Sequence, residues 1–277
     1  MRRSGWALSV AVALSLVAPV SAAAAGALVV RTETTFLDRK QPTTRSGKVM
    51  LAGDRLRAEV PAGPRPQDGD VVLVFRGDRD ALYVLEPSDR SYVQIDRESV
   101  EWVTGQLDAV RGEVRAQMKG MSPETRARME EVLDATGLSE PNGKAAEIRL
   151  VATGKTASTA GRSCREHTIL RGSRPIGDAC IADYATLGMT RSDLDPARRL
   201  ATVAAELTRG MPGGGIGGVA MDPAAIAALD GVPIRVRVRD EDVPATETRV
   251  LGVERAAVAP EAFAPPPGWR KRSWLAQ

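Results

Sequence analysis

Residues 71–96 read VVLVFRGDRDALYVLEPSDRSYVQID, and the way this stretch continues decides the fold. Three short runs rich in Val, Leu, Tyr and Phe are separated by Gly77-Asp78 and by Pro87-Ser88-Asp89, residue types that favour turns. Short apolar runs with turn-formers between them predict consecutive antiparallel strands. Directly afterwards the period changes. Val100, Val103, Leu107, Val110, Val114 and Met118 recur every three or four residues, the apolar stripe of an amphipathic helix. A meander that runs straight into a helix, with no alternating strand–helix units, points to an α+β fold.

The flanks extend this pattern. Upstream, Leu28, Val30, Thr32, Thr34 and Phe36 alternate with Val29, Arg31, Glu33 and Thr35. Val49 and Leu51 lie in a second run, Gly53-Asp54 marks a turn, and Leu56, Ala58 and Val60 share one face of a third strand. Residues 61–70, PAGPRPQDGD, read as a loop. Downstream, Ser122-Pro123 is an N-cap followed by a first-turn proline, opening a second helix with Met129, Val132 and Leu133. Strand patterns return at 146–152 and near 168–170. Asp195-Pro196 starts a third helix bearing Leu200, Val203 and Leu207, and the Gly-rich stretch 212–218 ends it. Residues 232–239 and 246–254 predict a closing hairpin. The simplest assembly is one curved antiparallel β-sheet with about three helices packed on its concave face. Residues 26–277 then form a single α+β domain, with helical blocks at about 97–137 and 190–230 inserted between strands.

The N-terminus sets the compartment. Behind Arg2 and Arg3, the run Trp6-Ala7-Leu8 to Ala18 is uncharged and apolar, and Ser21 to Ala25 are small. A basic start, a short apolar core and an A-x-A-like exit describe a secretory signal, cleaved between Ala23 and Gly26. The run is shorter than the ~20 residues that cross a bilayer, so no transmembrane segment is expected. Export to the periplasm or the medium follows. Loss of Arg2 and Arg3 leaves 36 basic against 35 acidic residues, lowering the formal charge from +3 to +1. That removes any compositional argument for a nucleic-acid partner.

Cys164 and Cys180, the only cysteines, read as a disulfide between neighbouring strands of an exported protein; a redox pair would show C-x-x-C spacing. Enzymatic chemistry is not expected. His167 is the only histidine, no G-x-S-x-G is present, and with the cysteines paired zinc lacks ligands. Gly213, Gly215 and Gly218 spell G-x-G-x-x-G but follow a predicted helix rather than a strand. Gly154-Lys155-Thr156 resembles a phosphate-loop tail, yet Arg149 stands where its first glycine belongs. Arg76-Gly77-Asp78 coincides with a predicted hairpin turn, which needs Gly and Asp locally. No cofactor and no metal site are expected.

Methionines gather in and around the helical segments. Core filling is one reading. A second is an adaptable apolar cavity lined by Met118, Met121, Met129, Leu133, Met189, Leu207 and Met211. A third, Cu(I) on the Met118-x-x-Met121 pair, has no histidine support. Arg235, Arg237 and Arg239 alternate with Ile234, Val236 and Val238. They predict a solvated basic face, paired with Glu247 or Glu254 across the hairpin or open to an anionic partner.

Several of these segments together resemble a known family. They are Gly53-Asp54-Arg55-Leu56-Arg57, Tyr83-Val84-Leu85-Glu86-Pro87 with Tyr92, and Gly161-Arg162-Ser163-Cys164-Arg165 with Cys180-Ile181-Ala182-Asp183. The Ser-Pro-led helical block between Met118 and Met129 also fits. The chain resembles, from about Ala27 to Trp269, the bacterial exported proteins called domain of unknown function 4412. That family is similar in architecture to periplasmic lipoprotein carriers, so the resemblance implies a half-barrel closed by helices that shelters an acyl chain. Phe263 to Trp269 matches how such chains end. The implied function is a non-enzymatic periplasmic binding protein with a lipid or lipoprotein partner. The alternative is an envelope interaction or structural protein with a filled core, docking through its arginines. An apolar cavity of ~300 Å³ or more separates the two readings.

Overall fold

Two rows of apolar side chains, each running straight across six strands, organise the molecule. Leu28, Leu51, Leu56, Phe75, Leu82 and Ile95 stand opposite one another in one row. Val30, Val49, Ala58, Leu73, Val84 and Val93 form the next. The strands are β1 (Ala25–Phe36), β2 (Thr43–Ala52), β3 (Arg55–Pro61), β4 (Asp70–Arg76), β5 (Ala81–Glu86) and β6 (Ser91–Ile95). Period-two sequence places every second residue on one face, so the in-register meander turns alternation into a continuous apolar surface.

The structure is a computed structural model describing residues 25–37, 41–135, 148–208, 229–239 and 245–273. The predicted leader up to residue 24, Met211 and the Gly-rich stretch 212–218 lie outside the described residues. After β6 come α1 (Arg97–Met118) and α2 (Pro123–Ala135). Then follow β7 (Ile148–Thr159), β8 (Arg162–Arg171), β9 (Arg174–Ala182) and α3 (Asp195–Thr208). The chain ends in β10 (Val232–Val238), β11 (Thr246–Val258) and β12 (Arg270–Arg272). Among the described residues these make one curved, unclosed sheet in the order β12-β6-β5-β4-β3-β2-β1-β11-β10-β9-β8-β7. All neighbours are antiparallel except β12, which runs parallel to β6. The fold is α+β, a half-barrel with three helices among the described residues.

The helices cover the face that carries the two apolar rows. Ala197, Leu200 and Val203 of α3, with Leu194 before it and Val100 of α1, pack on the cluster containing Leu28, Leu56 and Phe75. On the opposite face Val29, Met50, Val74 and Tyr83 pack against Phe263 and Trp269 of the C-terminal segment. The free end of the sheet is β7, where Ala152 pairs with His167 and Thr156 with Arg165. Residues 153–155 bulge out between those pairs, with Gly154 at φ 74°.

Two expectations fail locally. Val60 is 37% exposed and Val110 47% exposed, although each shares a predicted apolar stripe with buried neighbours. Periodicity states which residues share a face; it does not state that a second element covers that face along its whole length. Val103 and Met118 of the same α1 stripe are buried. Trp102 of α1 is 53% exposed.

The start of α1 shows why the strand-to-helix switch falls where it does. Asp96 Oδ1 accepts the Ser99 N–H at 2.9 Å, and the Asp96 N–H donates to Ser99 Oγ at 2.8 Å. This reciprocal box satisfies two helix-end groups that have no partner inside the helix. Burial works against ionisation of Asp96, but hydrogen bonds from Ser99 and Gln94 outweigh it and hold the carboxyl below its ordinary range. Asp96→Ala is expected to cost about 1 kcal/mol, read as a lower urea midpoint with an unchanged slope.

Candidate functional site

Two places carry residues singled out by sequence. The first is the contact between α3 and the sheet. Arg198 anchors the start of α3: Nη1 donates to the Arg191 carbonyl at 2.7 Å and to Asp195 Oδ1 at 2.9 Å, and Nη2 donates to the Tyr184 hydroxyl at 2.8 Å. The Tyr184 hydroxyl in turn donates to the Leu229 carbonyl at 3.1 Å. At the rim, Arg199 pairs with Asp80 of the β4–β5 turn at 3.0 Å, and Arg255 of β11 pairs with Asp193 at 2.9 Å. Three of those four side chains are about half exposed or more. Between these polar ties the contact is made by packed apolar side chains, among them Leu187 and Met189.

Of the proposed lining residues, Met189 joins this cluster and is 5% exposed. Met118 is buried at the end of α1, and Met121 and Met129 are half-buried. Arg126 Nε donates to the Met118 carbonyl at 3.3 Å and its Nη2 to the Met121 carbonyl at 3.4 Å, bracing the corner between α1 and α2. Leu133 falls in α2 and Leu207 in α3, while Met211 lies outside the described residues.

The second place is the arginine run of β10, and here the expectation needs correcting. The register slips at Ile234, so that Pro233 opposes Ile181 and Arg235 opposes Cys180. Ile234 is 1% exposed. Arg235 is not on a solvated face: it is half-buried, and Nη2 donates to Glu166 Oε1 and Asp178 Oδ2, each at 3.2 Å. Arg237 pairs with Glu247, as the hairpin reading expected, and Glu247 also holds Arg249. Glu254 instead pairs with Arg31 at 3.4 Å. Arg239 is exposed, and its N–H donates to the Ile176 carbonyl at 2.7 Å. The basic run is therefore largely neutralised from within by three carboxylates on neighbouring strands.

Glu247 is 4% exposed. Burial disfavours its charge, but the Arg237 hydrogen bond and the charges of Arg237 and Arg249 prevail, so its carboxyl sits below the ordinary 4.5. A group depressed on folding contributes stability above its unfolded pKa and loses it as pH falls through the folded value. Stability is thus expected to decline as pH drops from about 4.5 downwards. The Glu247→Gln protein should lose less of its own stability between pH 7 and pH 3 than the wild type does, as read from urea midpoints at both pH values.

Beside this network lies a cleft of about 280 Å³. Glu33 of β1, Arg249 of β11 and Arg235 of β10 stand directly opposite one another across three adjacent strands and line its floor. Residues 158–160, from the end of β7 into its turn, form a wall, and Leu251 completes it. Arg162 Nη1 donates to the Leu251 carbonyl at 3.5 Å, holding the hairpin over the row. The turn itself uses Ala160 at φ 49° and Gly161 at φ 74°. A left-handed alanine is uncommon and carries strain. Near the turn, the Cys164–Cys180 disulfide ties the second strand of this hairpin, β8, to β9, with a Cα–Cα distance of 5.4 Å.

Sequence reading missed this cleft because its parts are remote in the chain. Alternation in β10 flagged Arg235, with Glu247 as a partner across the hairpin, but nothing flagged Arg249, and nothing local ties Glu33 or residues 158–160 to them. His167, the lone histidine, is half-buried on β8 with Nδ1 at 3.1 Å from the Arg165 carbonyl. Among the described residues no group of three or more His, Cys, Asp or Glu is placed to hold a metal. No helix among them is long and apolar enough to cross a membrane.

No family model matches the chain, so the resemblance to domain of unknown function 4412 gains no support there, and no curated protein matches it. Solved structures offer similar shapes. One is a domain described as an outer membrane lipoprotein-sorting protein from Vibrio parahaemolyticus, 10% identical over 86% of this chain and 89% of that one, with a TM-score of 0.31. Another is a LolA-superfamily protein from Nitrosomonas europaea, 8% identical over 88% of this chain and 91% of that one, with a TM-score of 0.27. At these TM-scores the likeness carries no argument about what this chain does.

Proposed function

We propose that the protein is a non-enzymatic, periplasmic or secreted binding protein that shelters an acyl chain or similar apolar ligand beneath α3. One observation carries this reading. A broad apolar surface on the sheet is covered by a helix whose rim is tied by largely exposed ion pairs, Arg199–Asp80 and Arg255–Asp193. Exposed pairs are worth ~0–1 kcal/mol each, so lifting α3 costs mainly the apolar area it uncovers, and an incoming acyl chain covers that area again. The proposed lining is Met189 with the remaining helical methionines, Leu133 and Leu207. A lipid or a lipoprotein is the partner this chemistry suits.

The envelope-docking alternative combined a filled core, which the packed side chains beneath α3 fit, with an exposed arginine face. The internal pairing of Arg235, Arg237 and Arg249 with Glu166, Asp178 and Glu247 counts against it. Uptake of a fluorescent fatty acid and mass spectrometry of lipid extracted from natively purified protein test the binding reading; neither uptake nor lipid would overturn it. Replacing Arg199 and Arg255 together with glutamine is expected to speed uptake several-fold in stopped-flow. An unchanged rate would remove α3 as the moving part.

A further inference from the structure

The cleft over Glu33, Arg249 and Arg235 is built for something other than an acyl chain. Glu33 lies on β1 out of phase with Leu28 and Val30, which belong to the helix-covered cluster, so the cleft is separate from the apolar surface beneath α3. Three features set it apart from ordinary sheet surface. Arg235 and Arg249 oppose each other directly across β10 and β11. Like charges in that position repel, and Glu247 beside Arg249 and Glu166 with Asp178 beside Arg235 offset this only in part. Arg235 Nε is enclosed and has no acceptor among the described residues, so the guanidinium is not fully satisfied by Glu166 and Asp178. Glu33, one strand further on, has no ion pair or hydrogen bond through its carboxylate among the described residues.

A pair of guanidiniums is suited to a phosphate, which accepts several hydrogen bonds from them at once. A free carboxylate is suited to an ammonium group. Adjacent strands lie ~4.8 Å apart, close to the separation between the phosphate and the amine of an aminoethyl phosphate. The volume of about 280 Å³ takes a group of that size but not a whole lipid. Ser158 and Thr159 make part of the wall from polar residues. We propose that this cleft binds a phosphoethanolamine group, its phosphate between Arg235 and Arg249 and its ammonium against Glu33. The group is supplied either free in solution or as a lipid headgroup.

Calorimetric titration of the full chain with O-phosphoethanolamine and, separately, inorganic phosphate at low ionic strength tests this. The wild type is expected to bind phosphoethanolamine more tightly than phosphate. Arg249→Gln, a half-exposed position whose loss leaves Glu247 with Arg237, is expected to weaken both about tenfold, as the loss of one charge-assisted contact does. Glu33→Gln is expected to weaken phosphoethanolamine alone, down to the level of phosphate. Thermal melts of both variants establish that each is folded. Absence of binding at millimolar ligand overturns the proposal, as does binding that Arg249→Gln leaves unchanged. A Glu33→Gln variant with unaltered preference for phosphoethanolamine overturns it too. Sedimentation with phosphatidylethanolamine vesicles distinguishes the sources: co-sedimentation lost in Arg249→Gln assigns a headgroup, and binding in solution alone assigns the free compound. Equal sedimentation with phosphatidylglycerol vesicles overturns the proposal, because Glu33 then reads nothing. None of these outcomes depends on fatty-acid uptake.

Discussion

Phe75→Ala is expected to destabilise the protein by about 3–5 kcal/mol, the usual range for emptying a fully buried aromatic site. Phe75 is 0% exposed and sits inside the first of the two apolar rows, with Leu56 on one side and Leu82 on the other. Strands on both sides are locked in register, and α3 lies over the face, so the cavity cannot close by a small shift of one element. The loss is the transfer term for the ring plus the contacts its neighbours forfeit. Urea unfolding followed by circular dichroism checks this, with Leu251→Ala as the comparison, since Leu251 is 47% exposed. A Phe75→Ala midpoint close to that of Leu251→Ala would mean that the row is not the centre of the fold.

The second large effect is expected from the disulfide. Cys164 and Cys180 are 16 residues apart in sequence and join β8 to β9. Closing a loop of about that length restricts the unfolded chain by roughly 3 kcal/mol. Replacing both cysteines with serine should lower stability by that amount, and reductant should bring the wild type to the same midpoint. Alkylation with and without reductant, followed by intact mass, measures the bond directly. Two thiols that alkylate without reductant in freshly prepared protein would refute it. The folded fraction of the serine variant should still take up fatty acid, because neither cysteine takes part in the rim pairs Arg199–Asp80 and Arg255–Asp193, and serine stays close to cysteine in size within the cluster beneath α3.

Much of the fold was legible because β1 to β6 and the three helices obey local rules. Strict alternation, Gly-Asp turns and the Ser-Pro and Asp-Pro helix starts placed these within a few residues, except β2, of which only the Val49–Leu51 end was marked. The bulge at Ile234 was not legible. Val232 to Val238 alternate perfectly in sequence, and only pairing with β9 reveals that one residue is extra. Nor was it legible that Glu166 and Asp178 of β8 and β9 would hold Arg235 in a half-buried network rather than leave it on a solvated face. The candidate sites were legible only in fragments. Met189 was singled out by residue type and lies in the cluster beneath α3, whereas Glu33 and residues 158–160 meet Arg235 only after the β7–β8 hairpin has folded over β11.

A sheet that stays open around its helices has two ends, and an end invites another chain to continue the hydrogen-bonded ladder. Here one end is the three-residue β12, too short to template anything. The other is the twelve-residue β7, long enough to do so, but residues 153–155 step out of line around Gly154, and Lys155 adds a charge there. An incoming strand finds no unbroken run longer than about half of β7 to pair with. The break therefore permits a half-barrel to stay open without polymerising through its edges, a constraint that a closed barrel never meets.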